Sequence, residues 1–259
     1  MNDATTSAAL RGATELVQRA SSILFVTGAG ISADSGLPTY RGVGGLYEGS
    51  DTDEGVPIER ALSGEMFRQR PAITWKYIHQ IERAGRGAQP NDAHRVIAQL
   101  ERDKDRVFVL TQNVDGLHRA AGSRNVIEIH GNVHGLLCSA CAWEQRVESY
   151  AGLGALPTCP QCGAVIRPRV VLFGEMLPDV AVRALYRELE RGFDLVVSIG
   201  TSSLFPYIVM PVVEAARGGR PTVEINPATT DISDVVTHHV RLGAAVAMRA
   251  IAGAGPNLR

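Results

Sequence analysis

The chain has 259 residues, a formal net charge of −1 and a hydrophobic fraction of 45%. These values are typical of a globular protein with one large domain, or with a large and a small one. They argue against a nucleic-acid-binding protein and against an acidic disordered tail, because neither sign of charge is in excess. No apolar stretch reaches transmembrane length, so we expect no membrane partner.

The first residues of the chain lack the basic start and apolar core of a signal peptide. We therefore expect a cytoplasmic protein, and we expect it to be a monomer. In a reducing compartment, closely paired cysteines indicate metal binding rather than disulfide bonds.

Short apolar runs alternate with helical patterns along the chain. The runs lie at residues 23–27, 106–111, 126–129, 195–199 and 222–225. The helical patterns lie at residues 7–20, 92–101, 178–191 and 206–217. Short strands that are apolar throughout are typical of a parallel sheet covered on both faces. The alternation thus predicts a doubly wound α/β fold.

Two segments interrupt this alternation. Residues 39–55 are rich in glycine and predict a long loop, followed by helical patterns to about residue 84. Residues 134–168 contain all four cysteines of the chain. Both segments are expected to form a smaller lobe beside the sheet.

The first strand runs into a glycine-rich turn with the pattern Gly-x-Gly-x-x-Ala, formed by Gly28, Gly30 and Ala33. Glycines at such a turn allow the backbone to approach a pyrophosphate. An ordinary strand-to-helix turn would explain the pattern equally well. A nicotinamide dehydrogenase would need a second strand that ends in an acidic residue about twenty positions later. Residues 40–51 instead have the glycine-rich composition of a loop, so the usual hydride-transfer layout is not expected.

Polar side chains follow several of the predicted strands, where ligands of open α/β sheets bind. They include Gln112, Asn113, Asp115, His130, Thr201, Ser202 and Asn226, and Gly200 lies beside Thr201 at the same strand end. Asn113 and Asp115 have a simpler explanation as caps of the next helix. His130 could be structural, but its position at a strand end and the pKa range of histidine suit a general base. His79, His94, His118 and His134 lack this combination, and His94 is expected to be structural.

The cysteines form two Cys-x-x-Cys pairs, Cys138 with Cys141 and Cys159 with Cys162. Residues 142–158 separate the pairs, and this spacing is typical of a structural zinc site. Four protein ligands would leave no open position, so a catalytic role for the ion is not expected. The residues that flank the pairs are not basic, which disfavours a nucleic-acid contact.

Taken together, these motifs resemble the sirtuin family of NAD-dependent protein deacylases. The resemblance runs from about residue 20 to residue 245. In chain order it rests on residues 28–42, 111–115, His130 and Gly131, the four cysteines, residues 171–175, 200–202 and Asn226. Residues 38–41, Pro-Thr-Tyr-Arg, are similar to the branch that is common in prokaryotes.

The resemblance implies a Rossmann-like NAD-binding domain of residues 1–38, 91–132 and 169–259. It also implies a small lobe of residues 39–90 and 133–168, which contains helices and a zinc ribbon. The implied cofactors are NAD as co-substrate and one structural zinc ion. The implied partners are proteins or peptides that carry an acylated lysine.

The family's functional residues can be carried over by position. His130 is implied as the general base, with Asn113 as a second catalytic residue. The implied cofactor-binding residues are Gly28, Ala29, Gly30, Ser32, Tyr40, Arg41, Gln112, Asn113, Asp115, Gly200, Thr201, Ser202, Asn226 and Ala244. The substrate peptide is implied to add as a strand beside Val170, Phe173 and Gly174.

Two positions depart from the family pattern, one at the acyl substrate and one at the nicotinamide. Relatives that prefer succinyl or malonyl lysine carry a Tyr-x-x-Arg pair, which the comparable helix around Trp75 lacks. We therefore expect neutral acyl groups, although Lys76 or Arg83 could replace the missing arginine. Tyr40 stands where the family usually has phenylalanine.

ADP-ribosyl transfer and a non-catalytic NAD- or zinc-dependent interaction module are the alternative functions.

Overall fold

The computed structural model describes residues 3–38 and 52–253, so Tyr40 and Arg41 lie outside the described residues. The helices are α1 (Asp3–Arg19), α2 (Ile58–Ala61), α3 (Gly64–Gln69), α4 (Pro71–Gly85), α5 (Asp92–Asp103), α6 (Leu117–Ala120), α7 (Asp179–Glu190), α8 (Pro206–Arg217) and α9 (Ala244–Gly253). The strands are β1 (Ser22–Thr27), β2 (Arg106–Thr111), β3 (Val126–Glu128), β4 (Gly131–Cys138), β5 (Glu144–Arg146), β6 (Ile166–Val170), β7 (Leu195–Ile199), β8 (Thr222–Ile225) and β9 (His238–Val240).

Six strands form one sheet in the order β3-β2-β1-β7-β8-β9, and every neighbouring pair is parallel. The order of the strands reverses between β1 and β7, which is the arrangement of a doubly wound sheet. The predicted fold class is therefore confirmed. The five predicted strands agree with β1, β2, β3, β7 and β8 to within one residue at each end.

Apolar clusters cover both faces of this sheet. On one face, the side chains of α1, α5 and α9 pack against Phe25, Val109 and Val197. On the other face, side chains of α7 and α8 pack against Leu24, Leu110 and their neighbours. Because both faces are buried, the strands contain few polar residues, and this explains why they were recognisable as apolar runs.

A smaller antiparallel sheet, in the order β5-β4-β6, packs with α2, α3 and α4 around a separate apolar cluster. Trp75 of α4 is fully buried in this cluster, and its indole Nε1–H donates to the carbonyl of Ile166 at 2.8 Å. The lobe therefore combines helices with a cysteine-bearing sheet, as predicted. Within residues 3–38 and 52–253, none of the helices has the length and apolar character needed to cross a bilayer.

Helix α9 and the edge strand β9 were not predicted from the sequence. The strand has only three residues, and two of them are half-buried histidines, so it shows no apolar run. Helix α9 follows closely, and Asp34 accepts a hydrogen bond from the backbone N–H of Ala245 at 3.0 Å. This cap comes from a residue 211 positions away, which a local helix-start pattern cannot reveal.

Candidate active site

The parallel register of the large sheet brings its polar strand ends together. Thr27 lies opposite Thr111 in β2 and opposite Ile199 in β7. The residues that follow these three positions therefore meet at one edge of the sheet. They are the glycine-rich turn after β1, the polar segment after β2 and residues 200–202 after β7.

The turn after β1 is held close to the turn after β7. The backbone N–H of Gly30 donates to the carbonyl of Gly200 at 2.8 Å. A Cβ atom on Gly30 would lie 2.7 Å from the Cα atom of Gly200, which is too close for any side chain. Two short 3₁₀ turns, Ala29–Ile31 and Ala33–Ser35, follow in place of the α-helix that commonly follows such a glycine turn.

Ser32, Asn113 and Asp115 form a connected polar cluster. The hydroxyl of Ser32 donates to Asp115 Oδ2 at 2.8 Å, and Asn113 Nδ2 donates to Ser32 Oγ at 3.1 Å. Asn113 Nδ2 also lies 3.1 Å from the carbonyl of Gly28. Burial raises the pKa of Asp115, while the N–H of Leu117 and the Ser32 hydroxyl partly oppose this shift.

The capping explanation for Asp115 is also correct, because its Oδ1 accepts from the N–H of Leu117 at the start of α6. Its second oxygen is left for Ser32. Asn113 does not cap this helix, because its amide bonds to the glycine turn instead. Ala29, Ser32, Asn113 and Asp115 line one cleft, whose volume is ≈ 460 Å³.

His130 follows β3 and lies half-buried at the same edge of the sheet. Its Nδ1 lies 3.1 Å from the carbonyl oxygen of Gln112, and its Nε2 lies 2.7 Å from the hydroxyl of Tyr207. Burial lowers the pKa of His130, and the bond to Gln112 partly offsets this. Gln112 thus contacts His130 through its backbone. Tyr207 is 77 positions away and belongs to no motif, so it was not predicted from the sequence.

Thr201, Asn226 and Ala244 lie beyond the β7 turn. Asn226 Nδ2 donates to the carbonyl of Thr201 at 2.9 Å, so the ends of β7 and β8 are joined. Ser202 is exposed, and Ala244 is buried at the first position of α9. Ser203 has a φ angle of 54°, and its buried hydroxyl has no hydrogen-bond partner in the described part of the chain.

Two other histidines are structural, as was expected for His94. His94 is fully buried, and its Nδ1 accepts from the N–H of Asn91 in the capping box of α5. Burial lowers the pKa of His94 to about 4. His118 bonds to the hydroxyl of Thr27 at 3.0 Å beneath the glycine turn, and burial holds its pKa well below the usual value.

The four cysteines converge in the small lobe, with all four Sγ atoms within 4.8 Å of one another. The Cys138–Cys162 and Cys141–Cys159 sulfur distances are 3.4 and 3.6 Å. Four sulfurs at about 2.3 Å from a tetrahedral zinc ion would be roughly 3.8 Å apart, so the cysteines fit that ion. The N–H groups of Ala140 and Cys141 also donate to Cys138 Sγ, and the first of these bonds is the largest cause that lowers the pKa of Cys138 to about 6.

The predicted peptide-binding residues lie at and beyond the end of β6. Phe173 is 41% exposed, but its backbone N–H and C=O already bond to Leu62 and Gly64 of the small lobe. Val170 is half-buried and pairs with Gly131, while Gly174 is exposed with a φ angle of 78°. The side chain of Phe173 is therefore available to a ligand, whereas its backbone is bonded within the protein.

The loop after β6 is held by an ion pair that sequence analysis did not find. Arg167 donates from two guanidinium nitrogens to the two carboxylate oxygens of Glu175, each at 2.7 Å. Burial alone would raise the pKa of Glu175, but Arg167 and the N–H of Leu172 lower it below its usual value. Arg167 in β6 and Glu175 in the following loop are eight positions apart, a spacing that carries no sequence pattern to predict this pair.

Comparison with known proteins agrees with this geometry. The profile of the Sir2 family matches residues 28–206. NAD-dependent protein deacylase 2 of Pseudomonas aeruginosa is 51% identical over 225 residues, which cover 86% of this chain and 88% of that protein. The protein of the same name from Pseudomonas syringae pv. tomato is 52% identical over 224 residues, which cover 85% and 90%.

Solved structures give the same result. A Sir2 homologue in complex with NAD is 34% identical, covers 93% of this chain and 92% of that one, and has a TM-score of 0.82. A Sir2 variant with a deacetylated peptide and 3′-O-acetyl ADP-ribose is 28% identical, covers 95% and 98%, and has a TM-score of 0.85. With a family match over more than half of its length and relatives above 50% identity, the chain belongs to the Sir2 family, the sirtuins.

Proposed function

We propose that the protein removes acyl groups from protein lysines in an NAD-dependent reaction that yields nicotinamide and O-acyl-ADP-ribose. The observation that carries this proposal is the meeting of His130 and the Ser32–Asn113–Asp115 cluster at one edge of the sheet. The curated Pseudomonas relatives bear the name of this activity. A pure NAD-binding module would have no need of His130 at this edge of the sheet.

The turns after β1 and β7 fit a dinucleotide. Gly28, Gly30 and Gly200 leave no room for a Cβ atom between them, so the two turns pack directly on each other at the strand ends where a dinucleotide is expected to bind. The hydroxyl of Ser203, which has no partner among residues 3–38 and 52–253, offers a hydrogen bond to a ligand. We assign Gly28, Ala29, Gly30, Gly200, Thr201, Ser202, Asn226 and Ala244 to the cofactor. Tyr40 and Arg41 stay predictions from the resemblance.

NAD, when bound, supplies the ribose carbon that the acyl oxygen attacks as nicotinamide leaves. Asn113 and Asp115 bind the nicotinamide end, where an amide and a carboxylate can hydrogen bond to a carboxamide. Ser32 holds Asp115 in place. Gln112 lies at the adjoining ribose, and its backbone carbonyl orients His130. His130 would accept the proton of a ribose hydroxyl at Nε2, and burial favours the unprotonated ring because it lowers the pKa of His130.

The acylated peptide binds along the loop after β6, beside Val170, Phe173 and Gly174. Because the backbone of Phe173 is bonded to Leu62 and Gly64, its part in this contact comes from the exposed ring. Gly174 can offer its backbone groups to an extended peptide. We further propose the two-lobed division, with residues 39–90 and 133–168 as the small lobe. The boundary at residue 133 lies two residues inside the start of β4, and the boundary at residue 168 lies two residues before the end of β6.

Neutral acyl groups are the preferred substrates in this proposal. Lys76, a candidate partner for an acidic acyl group, instead binds the carboxylates of Asp53 at 2.7 Å and Glu54 at 2.8 Å. Arg83 is exposed on α4 and does not line the cleft that contains Ser32, Asn113 and Asp115. Neither cation is therefore offered to a succinyl or malonyl carboxylate, whose burial without a partner is costly.

Mass spectrometry of acetyl-, butyryl- and succinyl-lysine peptides, incubated with and without NAD, tests the proposal. The expected result is an NAD-dependent loss of the neutral acyl groups with matching O-acyl-ADP-ribose. Faster removal of succinyl would contradict the acyl preference alone. If no peptide reacts while NAD is still consumed and ADP-ribose appears on protein, the protein is an ADP-ribosyltransferase. If NAD binds and nothing reacts, it is a binding module.

A further inference from the structure

The two ring nitrogens of His130 have different partners, and this fixes their protonation. A carbonyl oxygen can only accept a hydrogen bond, so the contact of Nδ1 with the carbonyl of Gln112 requires a proton on Nδ1. In the neutral ring, the proton is then absent from Nε2. The lone pair of Nε2 is the base that the proposed reaction uses.

The hydroxyl of Tyr207 contacts this lone pair at 2.7 Å. Because Nε2 carries no proton in this tautomer, the tyrosine O–H is the donor. Tyr207 reaches His130 from the first turn of α8, on the far side of β2 and β1 in the sheet order. The bond therefore joins the segment after β3 to the helix after β7 across the candidate site.

The ring of Tyr207 is itself held by its neighbours. It stacks on Phe205 with a centroid distance of 5.5 Å and an interplanar angle of 17°. Both aromatic rings then meet the imidazole of His130 edge-on, at 5.7 and 5.8 Å. Pro206, which separates Phe205 from Tyr207 in the chain, is the first residue of α8 and restricts the backbone there. These contacts limit the positions that the tyrosine hydroxyl can take.

We propose that Tyr207 is a positioning residue for His130: its hydroxyl holds the base nitrogen of the free enzyme in place until a substrate hydroxyl replaces it. This inference rests on the proposed function, in which His130 is the general base. A donor to the unprotonated nitrogen also stabilises the neutral imidazole, so Tyr207 keeps His130 in its active protonation state. This effect acts in the free enzyme and ends when the substrate occupies Nε2.

The groups that face His130 allow this effect to be isolated. The imidazole of His130 contacts the backbone carbonyl of Gln112, which follows β2. It also contacts the rings of Phe205 and Tyr207 at the start of α8. Tyr207 is the titratable group among these, and burial raises its pKa above the usual value of 10.0. It therefore stays protonated over the range in which His130 titrates. Burial lowers the pKa of His130 and the bond to Gln112 raises it, and no charged side chain from the described part of the protein contributes to the shift.

The test compares wild-type protein with Tyr207→Phe, which keeps the stacked ring and removes only the donor. The pKa and tautomer of His130 are measured by NMR of the ring nitrogens in the free protein, with His130→Ala to assign the signal. Tyr186→Phe is the matched control, because Tyr186 lies exposed on α7. Circular dichroism checks that each variant is folded.

The expected wild-type signal is that of the Nδ1–H tautomer. Loss of one hydrogen bond to the neutral form should raise the pKa of His130 in Tyr207→Phe by about half to one unit. In the enzyme assay, the acidic limb of kcat/KM should move upward by the same amount, because kcat/KM reports the free enzyme. The limb of kcat should move less, because the substrate then occupies Nε2. Tyr186→Phe should change none of these quantities.

An Nε2–H tautomer in the wild type, or an unchanged or lower His130 pKa in Tyr207→Phe, would overturn the inference. The NMR measurement needs neither NAD nor peptide, so it decides the role of Tyr207 even if the protein is not a deacylase. Absence of deacylation by the wild type would defeat the proposed function and leave the NMR result standing. Equal movement of the kcat and kcat/KM limbs would show that Tyr207 stays on Nε2 during the reaction, contrary to the inference.

Discussion

Ser32 Oγ donates a 2.8 Å hydrogen bond to Asp115 Oδ2 and joins two loops that are 83 residues apart in the chain. The same oxygen accepts from Asn113 Nδ2 at 3.1 Å. The hydroxyl of Ser32 thus connects the turn after β1 to Asn113 and Asp115, two of the polar residues after β2. Carboxylate and amide would otherwise be held separately, by the helix start at Leu117 and by the carbonyl of Gly28.

Ser32→Ala should weaken the use of NAD, because Asp115 and Asn113 lose their common partner. A hydrogen bond to a charged group contributes about 1.5–3 kcal/mol, so kcat/KM for NAD should fall by about tenfold to a hundredfold. Steady-state kinetics at saturating peptide measures this. The control is Ser35→Ala in the neighbouring 3₁₀ turn, whose hydroxyl accepts from Asn91 and does not contact Asp115. Equal losses in both variants would contradict a specific role for Ser32.

Gly30→Ala should abolish the close approach of the turns after β1 and β7. Its Cβ would lie 2.7 Å from the backbone of Gly200, and backbone atoms cannot rotate away as a side chain can. We expect NAD affinity, measured by calorimetry, to fall at least about tenfold, which corresponds to about 1.4 kcal/mol. Gly154→Ala is the control, because its Cβ would meet nothing within 4 Å. Unchanged NAD affinity in Gly30→Ala would argue against a phosphate site at this turn.

His130→Ala should reduce kcat by about 100-fold to 10,000-fold, the usual contribution of a general base, while NAD binding and the fold persist. Deacylation kinetics and NAD calorimetry on the same preparation separate the two effects. The control is His79→Ala on α4, which contacts Gly154 and the small-lobe aromatics rather than the cleft. A small loss of kcat in His130→Ala would mean that another group takes the proton.

The rate of the wild-type enzyme should depend on the protonation of His130. The ring acts as a base only when neutral, so activity is present above its pKa and is lost as the pH falls through it. Burial lowers this pKa below its usual value of 6.5, and the acidic limb of kcat/KM should therefore lie below pH 6.5. A pH profile between 4.5 and roughly 8 checks this, since histidine titrates in that range. A limb above pH 6.5 would contradict the environment of His130.

The sequence predicted those features that leave a pattern in neighbouring residues. The strands β1, β2 and β7 are buried on both faces, so their apolar runs were visible, and the cysteine spacing indicated the small lobe. Contacts between distant segments were not visible. Tyr207 contacts His130, which lies 77 residues away in the chain, and Asp34 caps α9 from 211 residues away. No sequence pattern in these segments predicts the partner of either residue. Such pairs exist only after the sheet has set the positions of the segments.

Glu175→Gln should weaken peptide binding without affecting NAD. The Glu175 carboxylate accepts from Arg167 and from the N–H of Leu172, and these bonds fix the loop that carries Phe173 and Gly174. Because bonds to charged groups contribute about 1.5–3 kcal/mol, we expect the peptide KM to rise about tenfold or more. Glu144→Gln, at an exposed ion pair with Arg169, is the control. A parallel rise in the KM for NAD would indicate general destabilisation instead.

Removal of the zinc ligands should act on stability rather than on chemistry. The four sulfurs would fill every position of a tetrahedral ion, and Cys138 and Cys159 belong to the apolar cluster of the small sheet. We expect one zinc per chain by elemental analysis and its loss in Cys138→Ser. The melting temperature should fall on the order of 10 °C, because metal binding contributes to folding free energy.

The control for this substitution is Ser139→Ala, an exposed neighbour that leaves the sulfurs in place. It should retain both the metal and the melting temperature. At a temperature where Cys138→Ser is still folded, its kcat should stay within about threefold of the wild type, since a closed site offers no position to a substrate. A large loss of kcat with an unchanged melting temperature would reverse the assignment and place the metal in the reaction.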